Sequence, residues 1–152
     1  MEMTMDFTIE TIKDNLKEVQ DLSELHYLES APYFDIPLKV DWEKVLKLER
    51  LNVLKTYFMK KSSKIIGYAS FSLGPSLEYK TSYQASLFNI FLHPDYRGGG
   101  RKFIAWCDEQ LQDLGVQVVY HHVKARNDYG VLLKRLGYVK MNIEYSKRLD
   151  KD

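Results

Sequence analysis

The run from Asn89 to Trp106 reads Asn-Ile-Phe-Leu-His-Pro-Asp-Tyr-Arg-Gly-Gly-Gly-Arg-Lys-Phe-Ile-Ala-Trp, and it allows few local structures. Leu87 to Leu92 is short and mostly apolar, which predicts a buried strand. Pro94 ends that strand because it has no N–H for a ladder. Gly98, Gly99 and Gly100 accept backbone angles that side chains forbid. Beyond them Phe103, Ile104, Cys107, Leu111 and Leu114 recur at helical spacing, and Gly115 falls where a helix C-cap belongs. The glycines therefore open a helix, where free N–H groups and the positive end of the dipole collect. Arg97, Arg101 and Lys102 add cations, so the turn is suited to a phosphate or pyrophosphate. It is not a Walker loop, since no Gly-Lys-Ser/Thr closes it. It is not the dinucleotide fingerprint either, since Gly98 and Gly100 lack the third glycine.

The rest of the chain is read around that unit. At 152 residues it has the length of a single domain spanning 1–152, with enough apolar residues for a core. A net charge of +1 gives no electrostatic case for nucleic acid or an anionic membrane. Cys107 is the only cysteine, so neither an internal disulfide nor a zinc spacing can be drawn. Met1 to Glu10 carries acids without a long apolar run, unlike a signal peptide, and no stretch is long enough to span a membrane. The expectation is a cytoplasmic protein without a metal.

Taken in order, Phe7 to Ile12 alternates like a first strand. Asp14 or Asn15 caps a helix to about Ser30, with Leu16, Val19, Leu22, Leu25 and Leu28 as its apolar stripe. Ala31 to Val40 is a proline-bearing loop, and Asp41 caps a second helix. Val53 to Met59 and Ile65 to Leu73 form a hairpin about the polar turn Lys60 to Lys64. A loop from Gly74 to Tyr83 leads to the central strand. After the glycine-led helix, Val116 to Lys124 is β-branched and predicts a strand parallel to the central one. Asn127 or Asp128 caps a short helix closed by Gly137, and Tyr138 to Leu149 reads as a last strand or strand pair. The fold class is α/β: a mixed, twisted central sheet with helices on both faces.

The segment His93-Pro94-Asp95-Tyr96-Arg97-Gly98, with Gly100 following, resembles the acyl-coenzyme A loop of the GNAT superfamily of N-acetyltransferases. That family's pattern is Gln/Arg-x-x-Gly-x-Gly/Ala; Lys102 stands where the last small residue belongs. The order of elements resembles the same fold end to end, most strongly from Gln84 to Tyr138, and looks like a small stand-alone bacterial or phage member. The resemblance implies acetyl-coenzyme A as cosubstrate and direct attack by an amine of a small molecule or peptide, and it leaves a homodimer open. It implies main-chain contacts from Ile90, Phe91 and Leu92 to the pantetheine arm. The diphosphate would lie on Arg97, Gly98, Gly99, Gly100, Arg101 and Lys102, and Asn127 would be a further contact.

The catalytic pattern departs from the family. Many members carry a glutamate base on the central strand and a tyrosine acid in the last helix; the matching positions here are Phe88, followed by Asn89, and Leu133. His121 and His122 end the strand beside the expected gap, and alternation points one to each face. They are the candidate bases, and Tyr145 on the expected last strand is the candidate proton donor. The loops offer Tyr33, Phe34, Asp35, Glu78, Tyr79 and Tyr83, an aromatic wall with carboxylates that would suit a cationic amine. His26, His93 and Cys107 read as structural. The missing glutamate and tyrosine leave open a degenerate member that only binds or assembles.

Overall fold

A computed structural model describes residues 5–151, so the first four residues of the acid-bearing N-terminal stretch lie outside it. Five strands form one sheet in the order β1-β2-β3-β4-β5: β1 (Met5–Ile9), β2 (Leu54–Lys61), β3 (Lys64–Gly74), β4 (Gln84–Leu92) and β5 (Val118–Tyr120). The first four run antiparallel, and β5 joins parallel to β4. Helices α1 (Leu16–Ser30) and α2 (Trp42–Arg50) cover one face. There Val19 of α1 packs with Leu54, Phe58, Tyr68 and Phe91. Helix α3 (Gly100–Asp113) covers the other, burying Phe103, Cys107 and Leu111 against Tyr57, Phe71 and Leu87. A short α4 (Gly130–Arg135) completes the helices.

Most local expectations follow from caps and turns. Asp41 accepts a hydrogen bond from the Lys44 N–H at 3.0 Å and opens α2. Gly115 and Gly137 have φ of 92° and 93°, the left-handed angles that end α3 and α4. The β2–β3 turn places Ser62 and Ser63 at φ of 51° and 67°, a primed hairpin turn built from two serines. Gly67 is required by close approach: a Cβ there would lie 2.5 Å from Leu92 Cδ2 and 2.9 Å from the Phe91 carbonyl.

Four expectations are corrected. The first strand is Met5–Ile9, not Phe7 to Ile12, because Ile12 turns inward to the core and its N–H donates to Glu49 Oε2 at 2.7 Å. The strand predicted over Val116 to Lys124 shrinks to Val118–Tyr120, since its β4 partner follows only that far. Neither Asn127 nor Asp128 is the N-cap of α4: Tyr129 holds that position without a side-chain cap bond, and Asp128 Oδ1 takes the N–H of the first helical residue, Gly130, at 2.8 Å. Tyr138 to Leu149 forms no strand among the described residues. Its Val139, Met141, Ile143 and Tyr145 lie in solvent, and no neighbouring strand receives its backbone.

Candidate functional site

The parallel pairing of β4 with β5 covers Gln84, Ala85 and Ser86, opposite Val118, Val119 and Tyr120. From Leu87 to Leu92 strand β4 has β3 on one side and no strand partner on the other among the described residues. About 20 Å of strand edge is thereby opened to an extended ligand. Ile90, Phe91 and Leu92 lie along it, and Phe91 turns its ring into the core. The register between β3 and β4 slips at this point: Ser70 pairs with Asn89 and Phe71 with Leu87, so Phe88 is the bulged residue. The bulge turns Phe88 outward to 63% exposure.

At the far end of the open edge the chain makes a tight approach to α3. The His93 N–H donates to the Ile66 carbonyl at 2.8 Å, and the Tyr96 N–H donates to the His93 carbonyl at 2.8 Å. His93 Nδ1 accepts from the Asp95 N–H. Pro94 to Gly99 then form a 3-10 turn that delivers Gly100 as the first residue of α3. The three glycines do different things. A Cβ on Gly99 would crowd Met5 Sδ at 3.1 Å, and one on Gly100 would crowd Leu92 Cδ1 at 3.1 Å, whereas Gly98 meets nothing. Two of the three therefore seat the turn on the core, and Gly98 faces open space among the described residues. Gly99 caps α3 without a side-chain bond, so the first-turn N–H groups keep the donor capacity expected of a helix start. Arg101 and Lys102 are exposed on that turn.

Arg97 is not free. Its Nε donates to the Leu92 carbonyl at 3.2 Å, and its Nη2 pairs with the Glu29 carboxylate of α1. The other Glu29 oxygen accepts from Asn127 Nδ2 at 3.2 Å. One carboxylate thus gathers two of the residues picked from sequence as cofactor contacts, one from each side of the open edge.

On the α1/α2 face a cavity of about 380 Å³ reaches β4 at Phe88 and Asn89, just past its last pair with β5. Its floor is Thr56, Tyr68 and Ser70, its side wall α1, and its roof the 31–40 loop. The sequence stripe through Leu25 and Leu28 misses how α1 meets the sheet, because Leu28 is 67% exposed. Core and cavity are instead met by Leu16, Val19, Ser23, His26 and Ser30, spaced three and four apart, so the helix face is apolar at its start and polar at its end. That change of polarity along one face was the available signal for His26. The His26 ring stacks on Phe91 at 5.0 Å, and its Nδ1 lies 3.0 Å from the Tyr68 hydroxyl. Burial, with the charge of Lys124 adding to it, holds the imidazole down to a pKa of about 4. Asn89 Oδ1 is buried without a partner among the described residues.

The histidines and tyrosine picked from sequence are dispersed. His121 follows β5 and packs on the α3 side against Phe71, Tyr129 and Tyr138, with its Nδ1 3.1 Å from the Tyr129 hydroxyl. Burial pushes it down to about 4, with His122 contributing, and its Nε2 has no partner among the described residues. His122 faces solvent. Tyr145 is 90% exposed on the C-terminal tail and belongs to no strand. Of the loop carboxylates, Asp35 points outward to Arg148 and Lys151, and neither it nor Glu78 lines the cavity. Cys107 is buried in the core with its thiol pushed up by burial, the structural role expected of it. Among the described residues no group of His, Cys, Asp and Glu could hold a metal, and no helix is long and apolar enough to cross a membrane.

A family model described as the Acetyltransferase (GNAT) family matches residues 17–138. No curated protein is close enough in sequence to count as a match. Solved structures share the fold at low identity. An aminoglycoside acetyltransferase from an uncultured soil metagenomic sample, in complex with trehalose, is 16% identical with a TM-score of 0.71, over 97% of both chains. A predicted acetyltransferase from Clostridium acetobutylicum, solved with acetyl-CoA, is 16% identical with a TM-score of 0.68, over 96% of this chain and 97% of that one. Glucosamine-6-phosphate N-acetyltransferase from Arabidopsis thaliana is 17% identical with a TM-score of 0.68, over 97% and 99%.

Proposed function

The chain belongs to the GNAT family of acetyltransferases, and on that premise we propose that it moves an acetyl group from acetyl-coenzyme A to an amine held in the α1/α2-face cavity. The observation that carries the reading is the conjunction at β4. The strand loses its β5 partner after Ser86, runs open to Leu92, ends at a glycine-led helix start, and touches the cavity midway at Phe88 and Asn89.

The chain's residues fit the cosubstrate. The N–H groups at the start of α3, with Arg101 and Lys102, would hold its diphosphate. Arg97 and Asn127 would join them by exchanging Glu29 for phosphate oxygens. Ile90, Phe91 and Leu92 would pair through main chain with the amide-bearing arm. The thioester would then lie beside the bulge, facing the cavity.

In the transfer the amine nitrogen forms a bond to the thioester carbonyl carbon, the C–S bond breaks, and coenzyme A departs as the thiol after taking up the proton the nitrogen sheds. Holding both reactants against one strand supplies acceleration through proximity. An amine is mostly protonated near neutral pH, and only its neutral form attacks. The nitrogen's remaining proton becomes acidic once the C–N bond forms, so a weak base suffices. Two neutral imidazoles flank the open strand: His26 with Tyr68 on the acceptor face, and His121 on the α3 face. We assign the nitrogen's proton to His26, which shares the cavity with Asn89. His121 remains the sequence-derived candidate on the opposite side, while His122 and Tyr145 would have to approach from solvent.

Titration with acetyl-coenzyme A tests the binding half. No heat and no thermal shift at millimolar ligand would sink it. Thiol release with an amine panel tests turnover and separates an enzyme from a module that only binds. His26→Ala should lower kcat more than His121→Ala, His122→Ala or Tyr145→Phe.

A further inference from the structure

The walls of the acceptor cavity carry no Asp or Glu among the described residues; its charged side chains are Lys39 and Lys124, and His26 is neutral above acid pH. Neither lysine has a carboxylate partner among the described residues. Lys124 Nζ spends one of its three N–H groups on the Ser30 carbonyl at 3.1 Å and has two to offer. Most of the remaining wall is apolar, including Ile12, Val19, Trp42 and Leu54. At the β4 end the wall is Phe88 and Asn89, and Asn89 Oδ1 is buried without a partner among the described residues.

These features sort amines by charge. A polycation, such as an aminoglycoside or a polyamine, would bring several positive groups into a mostly apolar space whose walls offer two more of the same sign and, among the described residues, no carboxylate; the nearest one acting there, Glu29 beside His26, is taken up by Arg97 and Asn127. Desolvation and like-charge repulsion both oppose it. A molecule with one amine and one anionic group on an apolar body meets the opposite balance. Its anion faces the lysines and its body lies on the aliphatic and Trp42 surface, with its amine toward the Phe88–Asn89 wall of the open strand. The same surroundings lower the amine's own pKa by denying it a counter-charge, which favours the attacking form. We propose that the acceptor is a monoamine carrying an anion on a compact apolar body, of the kind represented by hydrophobic amino acids. This rests on the acetyltransferase reading for the amine's role, and on the cavity alone for the charge preference.

The test uses the full chain, first without and then with saturating coenzyme A. The probes are L-phenylalanine and 6-aminohexanoate as anionic amines, O-phosphoethanolamine as a polar one with a phosphate, phenethylamine as an uncharged-body amine, and spermidine and kanamycin as polycations. Thermal shift and calorimetry read binding; thiol release from acetyl-coenzyme A reads turnover. The expected result is that L-phenylalanine or 6-aminohexanoate binds roughly tenfold tighter than phenethylamine, with no response to the polycations. In Lys124→Met that ratio should fall by roughly fivefold or more, with Lys39→Met as a second variant should the first fold poorly. Preference for O-phosphoethanolamine over L-phenylalanine would overturn the apolar-body part. Preference for spermidine or kanamycin, no shift with any anionic amine at millimolar concentration, or an unchanged ratio in both variants would overturn the whole. Failure of coenzyme A to bind would fell the acetyltransferase reading instead, and the shifts measured without it would still decide the cavity's charge preference.

Discussion

At Arg97 the proposed phosphate contact already faces an anion. Glu29 reaches across from α1, and the same carboxylate holds Asn127. A diphosphate arriving at the α3 start must compete with it for the guanidinium and meets its negative charge besides. Glu29→Gln keeps a polar group for Asn127 and removes that charge, so the Kd for coenzyme A should tighten by roughly threefold or more, with the gain shrinking at high salt. Looser binding in a titration would show instead that Glu29 positions Arg97. A second residue-scale consequence concerns acid. His26 and His121 both sit at about 4, against about 6.5 for a free histidine. Between those values the unfolded chain takes up protons that the folded chain refuses. Stability is therefore full above pH 6.5, falls as pH drops toward 4, and levels off below. From pH 7 to pH 5 the loss should be about 2 kcal/mol per histidine. Urea unfolding at the two pH values checks this, and His121→Phe should cut the loss by about half whatever it does to stability at pH 7.

Among the elements, the β2–β3 hairpin makes its primed turn from Ser62 and Ser63, residues that enter the left-handed region at a cost of about 1 kcal/mol each. Ser63→Gly should relieve most of its share and raise Tm by about 3 °C, as read by calorimetry; a lower Tm would mean that glycine's added freedom when unfolded outweighs the relief. This turn was legible as a turn in the run of lysines and serines, though not its angles. Legibility followed how local the determinants were. Strand β4, the proline stop, the glycines and α3 are fixed by neighbours in the chain, and all were read correctly as elements. The parallel β5 followed from the crossover. The bulge at Phe88 was not legible, because it depends on how β3 lies against β4. Nor was the α4 start, where Asn127, a good cap by type, is drawn away to Glu29 of α1, 98 residues distant in the chain. The place of His26 on the cavity wall was not legible either, because the helix stripe was counted in leucines whereas Leu28 faces solvent.

For the molecule as a whole, the unexpected feature is the strandless C-terminal tail and what it holds. The cavity roof, residues 31–40, carries Phe34 and Ile36 about half exposed and contains no helix or strand. Its closure over the cavity comes from one partner close by in the chain and one far along it. Arg126 donates to the Ala31 carbonyl at 3.2 Å, and Tyr27 donates to the Ile36 carbonyl at 2.7 Å. The tail adds Arg148, whose two terminal nitrogens meet the two oxygens of Asp35 at 2.8 and 3.0 Å and whose guanidinium lies over the Tyr33 ring. Ser146 meets the Tyr33 hydroxyl at 2.6 Å. Arg148 and then Lys151 hold the Asp35 pKa down to about 2, so the latch persists across the pH range in which the fold would be assayed. Because the Asp35 end of the pair is exposed, the pair contributes little to global stability, and its effect should appear in the loop it restrains. Arg148→Ala should leave Tm and coenzyme A binding nearly unchanged, speed hydrogen exchange over residues 33–36, and raise the acceptor KM several-fold, since a looser roof must be ordered when the acceptor binds. Arg148→Lys keeps the charge but loses the two-pronged geometry, and it should fall between the two. Exchange over 33–36 equal to that of the unaltered chain in both variants would show that the roof is held by Tyr27 and Arg126 alone.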